Sequence, residues 1–89
     1  MSKLSKIINQ LLANPPEVRF EDLQYVLQAF GFQAKRAKGS HHTFANRQGQ
    51  VLTIPKKGGQ KVKRVYIKRA VDLLELEQWL KNQESEGED

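Results

Sequence analysis

The sequence predicts a single α+β domain, in which the second and the last of three helices cover one face of a three-stranded antiparallel sheet. Apolar residues recur at helical spacing near both ends of the chain. Between these ends, short stretches rich in β-branched and aromatic residues are separated by glycine-containing turns. A length of 89 residues suits one domain.

A first helix is predicted within residues 1–14, which we interpret as an addition at the N-terminus of the domain. Ser2 is a favourable N-cap residue, because its hydroxyl can accept a hydrogen bond from a free backbone N–H of the first turn. The apolar stripe of this helix is formed by Leu4, Ile7, Ile8, Leu11 and Leu12. The following Asn14, Pro15 and Pro16 end the helix.

A second helix is predicted to begin near Phe20. Glu21 and Asp22 suit its first turn, because carboxylates are stabilised at the positive end of a helix dipole. Its buried face is formed by Leu23, Val26, Leu27 and Phe30. Gly31 is placed as a left-handed C-terminal cap, and Phe32 can then fold back onto the helix.

Three strands are predicted next, at Phe32–Lys38, His41–Arg47 and Gln50–Pro55. Gly39 and Ser40 form the first turn, and Gly49 supplies the positive φ of the second. Turns this short make the sheet an antiparallel meander. A basic loop, Lys56–Lys63, leads from the meander to the last helix.

The last helix is predicted from Val65 to Asn82, with a core face formed by Ile67, Ala70, Val71 and Leu74. The domain therefore covers residues 1–82, and residues 83–89 are expected to be a short disordered acidic tail. The resulting order, α-α-β-β-β-α, is like that of a double-stranded RNA-binding domain with an added N-terminal helix. One face of the sheet stays free to contact a ligand.

Composition excludes several classes of protein. Without cysteine, the chain can form no disulfide scaffold, no cysteine-ligated zinc site and no catalytic thiol. No apolar run is long enough to span a membrane, and the N-terminus lacks the apolar segment and cleavage site of a signal peptide. We therefore expect a cytoplasmic protein.

Positive charge is concentrated in the middle of the chain. The net charge is +5, and no acidic residue occurs between Asp22 and Asp72. That interval holds Lys35, Arg36, Lys38, Arg47, Lys56, Lys57, Lys61, Lys63, Arg64, Lys68 and Arg69. A solvated face is one explanation, but so long an interval of one sign favours an anionic partner, most commonly nucleic acid. A membrane surface is less favoured, because these residues do not share one amphipathic helix.

The two histidines of the chain are adjacent, at His41 and His42. Neighbouring residues of a strand point to opposite faces of the sheet. Phe44 must enter the core, so His42 is expected to lean inward and His41 to face outward with Thr43. The pair therefore cannot easily chelate one metal ion, and with no carboxylate nearby in sequence we expect no metal site.

An outward imidazole beside cations suits RNA cleavage. A histidine, with an ordinary pKa of about 6.5, exchanges protons near neutrality, and RNA carries its own nucleophile in the 2′-hydroxyl. Cations then stabilise the extra charge on phosphorus, for which Lys38, Arg47, Lys56 and Lys57 are candidates. Such a reaction requires no metal or cofactor. From charge and composition alone, a structural or RNA-contacting histidine is the commoner alternative.

Several motifs together resemble the HicA toxins, also called the YcfA-like family. They are Gly31-Phe32, Lys38-Gly39-Ser40-His41-His42-Thr43-Phe44, the Gly49 turn and Leu52-Thr53-Ile54-Pro55, followed by a basic segment and a closing helix. The resemblance covers roughly Phe20 to Leu74. It implies the fold described above, a toxin that cleaves mRNA without the ribosome, and an antitoxin of the HicB type. The catalytic histidine of the family follows Gly-Ser, which corresponds to His41.

The chain departs from the family pattern after Pro55, where many members carry a histidine and this sequence has Lys56 and Lys57. If that histidine assists catalysis, one of these lysines must replace it as a cation. We predict His41 as the catalytic general acid or base. RNA contacts are predicted at Lys35, Lys38, Ser40, His42, Arg47, Lys56, Lys57, Lys61 and Lys63. Two alternatives stay open: a non-catalytic RNA-binding module using the same basic face, and a subunit that binds an acidic protein.

Overall fold

A computed structural model of the protein describes residues 2–87. Its elements, in chain order, are α1 (Lys3–Leu12), β1 (Glu17–Arg19), α2 (Phe20–Ala29), β2 (Gln33–Lys38), β3 (His41–Ala45), β4 (Val51–Pro55), β5 (Lys61–Lys63), α3 (Arg64–Leu74) and α4 (Leu76–Gly87). Across this span, no helix has both the length and the apolar character needed to cross a membrane.

The predicted meander is confirmed. Strands β2, β3 and β4 form a three-stranded sheet in that order, and both neighbouring pairs are antiparallel. The β2–β3 pairing shifts register between Ala34 and Arg36, so Lys35 lies in a bulge. Gly49, in the β3–β4 turn, has the predicted positive φ, at 84°. The α+β class is confirmed, and the order of elements is consistent with a double-stranded RNA-binding domain.

The first helix is confirmed as well. The Ser2 hydroxyl accepts a hydrogen bond from the Ser5 backbone N–H, with the two atoms 3.1 Å apart, which satisfies one free donor of the first turn. Ile7, Ile8 and Leu11 are buried, and α1 packs against α2, α3 and α4. Helix α1 therefore enlarges the helical layer and does not alter the order of strands in the three-stranded sheet.

Helix α2 ends as predicted. Gly31 has a φ of 90° and lies just after the helix. Its N–H donates to the Gln28 carbonyl at 3.1 Å, and the Phe32 N–H donates to the Leu27 carbonyl at 2.9 Å. These two hydrogen bonds define a Schellman motif, and they return the buried Phe32 side chain to the core.

One apolar core joins the sheet to the helices. From the sheet it receives Phe44, Leu52 and Ile54, all buried. The helices contribute Ile7, Ile8, Leu11, Phe20, Leu23, Val26, Leu27, Ile67, Ala70 and Leu76. The Phe20 and Phe44 rings lie 6.1 Å apart between centroids, which fixes the start of α2 against the middle of β3.

The short ribbon of β1 and β5 was not predicted. In this antiparallel pair Val18 lies opposite Val62, and both side chains are buried. Each strand has only three residues, in the order polar, apolar, polar, which is too short for an alternating pattern to be recognised. The segment expected to be a loop therefore ends in a strand that pairs with the residues just before α2.

The last helix was predicted as continuous, which is wrong. Glu75 adopts a left-handed conformation, with φ 52° and ψ 49°, and separates α3 from α4. On an unbroken helix Leu76 would lie about 200° around the axis from Leu74, on the opposite face. The break turns Leu76 inward, where it is fully buried. Helix α4 runs to Gly87 and overlaps the predicted acidic tail, whose Glu88 and Asp89 lie outside the described residues.

Candidate functional site

His41 is the first residue of β3, the central strand. Across the ladder it lies between Lys38 of β2 and Pro55 of β4, and its side chain is exposed. Further along the same face Thr43 lies opposite Thr53, with their hydroxyl oxygens 3.3 Å apart. The imidazole therefore stands at one end of the open face of the sheet, as the alternation of β3 predicts.

His42 belongs to the opposite, helix-covered face. Its ring centroid is 4.6 Å from that of Phe20 at the start of α2, and it is half-buried. Tilted aromatic contacts at this distance are stabilising. The structure therefore separates the two neighbouring histidines, so that His42 packs against the core while His41 meets solvent. His42, which was predicted to contact RNA, therefore lies on the face opposite to His41 and cannot contact a ligand group together with it.

Lys56 lies at the same end of the sheet as His41. Its N–H donates to the Ser40 carbonyl at 2.8 Å, which extends the β3–β4 ladder by one residue beyond His41. The ammonium lies 4.4 Å from the centroid of the Phe20 ring, in a cation–π contact, and the residue is half-buried. This lysine therefore sits beside the Gly39–Ser40 turn, on the margin toward the helices.

Lys57 is held by an acidic residue. Its ammonium nitrogen lies 2.9 Å from a carboxylate oxygen of Glu17 in β1. The hydrogen bond and positive charge of Lys57 lower the pKa of Glu17, and the charge of Lys61 adds a smaller effect. Because its charge is partly neutralised, Lys57 is a weaker candidate than Lys56 for a phosphate contact.

The β1–β5 ribbon fixes the basic loop. The Phe20 N–H donates to the Gln60 carbonyl at 2.9 Å, and the Arg64 N–H donates to the Pro16 carbonyl at 3.0 Å. Lys61 lies opposite Arg19, and Lys63 lies opposite Glu17. These two predicted RNA contacts therefore belong to a surface beside the sheet, separate from the open face that carries His41.

Lys35 and Arg47 lie toward the other end of the sheet. At about 3.3 Å per residue, the four steps of β3 from His41 to Ala45 span about 13 Å, and Arg47 lies further along, in the β3–β4 turn. Arg47 is therefore too far away to share a phosphate with His41, and the Lys35 ammonium points toward Gln33, whose side-chain oxygen is 3.4 Å from it. The structure thus groups His41 with Lys38, Ser40 and Lys56.

Sequence reasoning missed Arg36. This residue lies opposite Thr43, on the open face of the sheet, and is exposed. The available signal was its spacing from Lys38, because residues two apart in a strand share a face. With Arg36 included, the open face carries cations at two successive positions of β2.

The two acidic residues that form ion pairs lie in β1 and in the first turn of α2. Among residues 2–83, whose side chains the structure describes, two ion pairs occur, Arg19 with Glu21 and Lys57 with Glu17. Neither involves Arg36 or Lys38. Within the same range, no group of three or more His, Cys, Asp or Glu side chains is placed to hold a metal ion.

Comparison with known proteins identifies the domain. The family model described as "HicA toxin of bacterial toxin-antitoxin" matches residues 20–79, from the first residue of α2 into α4. No curated protein and no solved structure matches the chain. Helix α1 and strand β1 lie before the matched segment. Because that segment is well over half of the 89 residues, the protein belongs to the HicA toxin family of toxin–antitoxin systems.

Proposed function

We propose that the protein is an mRNA endoribonuclease that cleaves without a metal ion and uses His41 as its general acid or base. The observation that carries the proposal is the exposed imidazole of His41 at the start of β3. Lys38 lies beside it on the same face, and neither of the two ion pairs of the described residues involves Lys38. Family membership supports it, because a HicA protein is the toxin of a toxin–antitoxin system, with RNA as substrate and a cognate antitoxin as partner.

The proposed reaction needs one proton acceptor and one proton donor. His41 takes the proton of a 2′-hydroxyl, whose oxygen attacks the adjacent phosphorus as the bond to the 5′-oxygen breaks. The leaving 5′-oxygen takes a proton from water or from a neighbouring ammonium. The products are a 2′,3′-cyclic phosphate and a 5′-hydroxyl end. A positioned general base of this kind contributes roughly 10²- to 10⁴-fold to the rate.

Two lysines are placed to assist at this end of the sheet. Lys38 is the cross-strand neighbour of His41 on the open face. Lys56 is held next to Ser40 by a backbone hydrogen bond of 2.8 Å. Fixed positive charge stabilises the additional negative charge that develops on the phosphoryl oxygens during attack. We assign this electrostatic role to Lys38 first, because it shares the face of His41.

We further propose that the cognate antitoxin is of the HicB type and inhibits by covering His41 and the adjacent cations. A protein that presents carboxylates to Lys38 and Arg36 would neutralise the face and exclude RNA from it. The charge of this face supports such a partner, because both cations are free of ion pairs with the described residues.

The test compares asparagine substitutions at the two neighbouring histidines. His41→Asn keeps size and polarity but removes proton exchange near neutrality, so cleavage of labelled RNA should fall by at least about 10²-fold. His42→Asn is the matched control and should retain activity at temperatures where it is folded. Wild-type cleavage should persist in a chelator and yield cyclic phosphate ends. Undiminished cleavage by His41→Asn would refute the assignment.

One observation favours a second candidate, an RNA-binding module without catalysis. The chain has two histidines, and His42 lies on the covered face against Phe20. No second imidazole therefore lies beside His41 on the open face. If cleavage requires two imidazoles, this chain would bind RNA and release it intact. Purified protein would then show salt-sensitive binding but no cyclic phosphate products after prolonged incubation.

A further inference from the structure

A groove lies at the end of the sheet remote from His41. Its volume is about 640 Å³, and it is formed where the end of α2 meets β2 and the β3–β4 turn. The side chains that matter here are those of Phe30, Gln33, Lys35, Ala45, Arg47 and Gln48. The proposed reaction at His41 makes no use of this groove.

An aromatic ring forms one wall. Phe30 is half-buried, and its ring meets that of Trp79 in α4 edge to face, with 6.0 Å between centroids. The Trp79 contact holds the Phe30 ring in place from the side of the helices. A fixed, partly exposed ring offers the stacking surface that proteins use for unpaired bases.

Amide groups stand at the rim with their N–H groups available. The side-chain oxygen (Oε1) of Gln33 accepts a hydrogen bond from the Lys35 ammonium at 3.4 Å. The side-chain oxygen of Gln48 accepts one from the side-chain amide of Asn46, also at 3.4 Å. The Asn46 oxygen in turn accepts from the backbone N–H groups of Gln48 and Gln50, at 3.1 and 2.9 Å, which fixes the turn. The groove therefore presents hydrogen-bond donors from Gln33 and Gln48.

A row of cations joins the groove to His41. Lys38 lies opposite His41, Arg36 lies opposite Thr43, and Arg47 stands at the rim of the groove. None of these three forms an ion pair with another residue of the segment 2–83. Along β3, His41 is about 13 Å from Ala45, which lines the groove. This distance corresponds to about four nucleotides of a stacked strand, at about 3.4 Å each.

We infer that the groove is a base-binding subsite for the single-stranded RNA substrate, about four nucleotides from the phosphate at His41. The inference rests on the proposed function, because it concerns the strand that His41 would cleave. An unpaired base stacks against Phe30, while Arg47 contacts the backbone. Since Gln33 and Gln48 offer donors, the groove favours a base with two neighbouring acceptors on one edge. Guanine presents O6 and N7 in that way, whereas adenine and uracil place a donor beside each acceptor.

The binding test uses His41→Asn protein, so that the RNA stays intact. Short uridine oligonucleotides carrying one guanine, one adenine or neither are titrated, because cytosine, like guanine, presents two neighbouring acceptors. RNA anisotropy and the fluorescence of Trp79, the single tryptophan, are recorded. The guanine RNA should bind about tenfold more tightly than the others. When Gln33→Ala and Gln48→Ala are added to the His41→Asn protein, the ratio of affinities for RNA with and without guanine should fall to about one. The control pair Gln10→Ala and Gln78→Ala, outside the groove, should leave that ratio unchanged.

A salt titration tests the phosphate contact. Adding Arg47→Ala to the His41→Asn protein should make the slope of log K against log salt shallower by about 0.7, the value for one phosphate of a single strand. Lys81→Ala on α4 is the charge-matched control and should leave the slope unchanged. An unchanged slope for Arg47→Ala would overturn the inference.

Other outcomes separate the inference from the proposed function. A preference for adenine, no preference, or equal competition by duplex RNA would overturn the base subsite, even if wild-type protein cleaves RNA. A guanine preference that depends on Gln33 and Gln48 would support the subsite, even if wild-type protein leaves RNA intact and the nuclease proposal fails. Where cleavage occurs, its guanine dependence should disappear in the Gln33→Ala/Gln48→Ala variant.

Discussion

The two faces of the three-stranded sheet differ in burial along β3 and β4, although the same strands form both, whereas β2 at the edge is exposed throughout. On the covered face Phe44 and Ile54 are fully buried and His42 packs against Phe20. On the open face His41 and Thr53 are exposed. Because successive residues of β3 alternate between these faces, neighbouring positions have separate roles. Folding stability and the chemistry of the surface can therefore be altered one residue apart.

The largest expected effect comes from the covered face. Phe44→Ala removes a fully buried ring that contacts Phe20, and should lower the free energy of unfolding by about 3–5 kcal/mol. Thr43→Ala, one residue away on the open face, removes a cross-strand contact with Thr53 and should lower it by less than about 1 kcal/mol. Urea denaturation of both variants measures this difference. Similar losses in the two would contradict the separation of the faces.

The two histidines provide a sharper form of the same comparison. His42→Ala loses its aromatic contact with Phe20 and should be less stable by about 1 kcal/mol. His41→Ala, with an exposed side chain, should keep wild-type stability within about 0.5 kcal/mol. Thermal unfolding checks both values. If His41→Ala were the less stable variant, His41 and not His42 would face the core.

RNA affinity should respond more to Lys38 than to Lys57. Lys38 lies on the open face beside His41, whereas Lys57 forms an ion pair with Glu17. Lys38→Ala should weaken binding several-fold and make the salt slope shallower by about 0.7 for a single-stranded substrate. Lys57→Ala should produce a smaller change. A larger effect at Lys57 would place the RNA on the ribbon and not on the open face.

The smallest effect concerns the pH dependence of stability at the ribbon. Lys57 lowers the pKa of Glu17 in the folded protein below its ordinary value of 4.5. The carboxylate therefore stabilises the fold above that value, and this contribution is lost as the pH falls through the lowered pKa. Wild type should exceed Glu17→Gln in stability by a small margin at neutral pH. Denaturation in acid should show the margin disappear, and high salt should reduce it because the pair is exposed.

Local signals made most of the fold predictable. The Ser2 cap, the Gly31 turn after α2 and the strand alternation around Phe44 each depend on residues close in sequence, and each is confirmed. The same alternation predicted the exposure of His41. These features could be predicted because, at these positions, backbone conformation and burial follow from residues nearby in the sequence.

The features that were missed depend on contacts between distant segments. The pairing of Val18 with Val62 joins two three-residue strands, and neither shows a recognisable period on its own. The break at Glu75 carries no glycine or proline, and it accompanies the burial of Leu76 in the core. The groove at Phe30 requires α2, β2 and a turn to meet. The catalytic and RNA-binding roles of the predicted residues stay predictions.

The β1–β5 ribbon has a consequence for the order of folding. Residues 17–19 pair with residues 61–63, so the chain must close a long loop to form it, whereas the turns of the meander close only a few residues. Loop closure costs more conformational entropy as the loop lengthens, and contacts distant in sequence form slowly. We expect the meander to assemble early and the lysine-rich segment 56–63 to acquire its shape only when the ribbon joins. A nascent chain would then carry His41 in place before that segment is ordered.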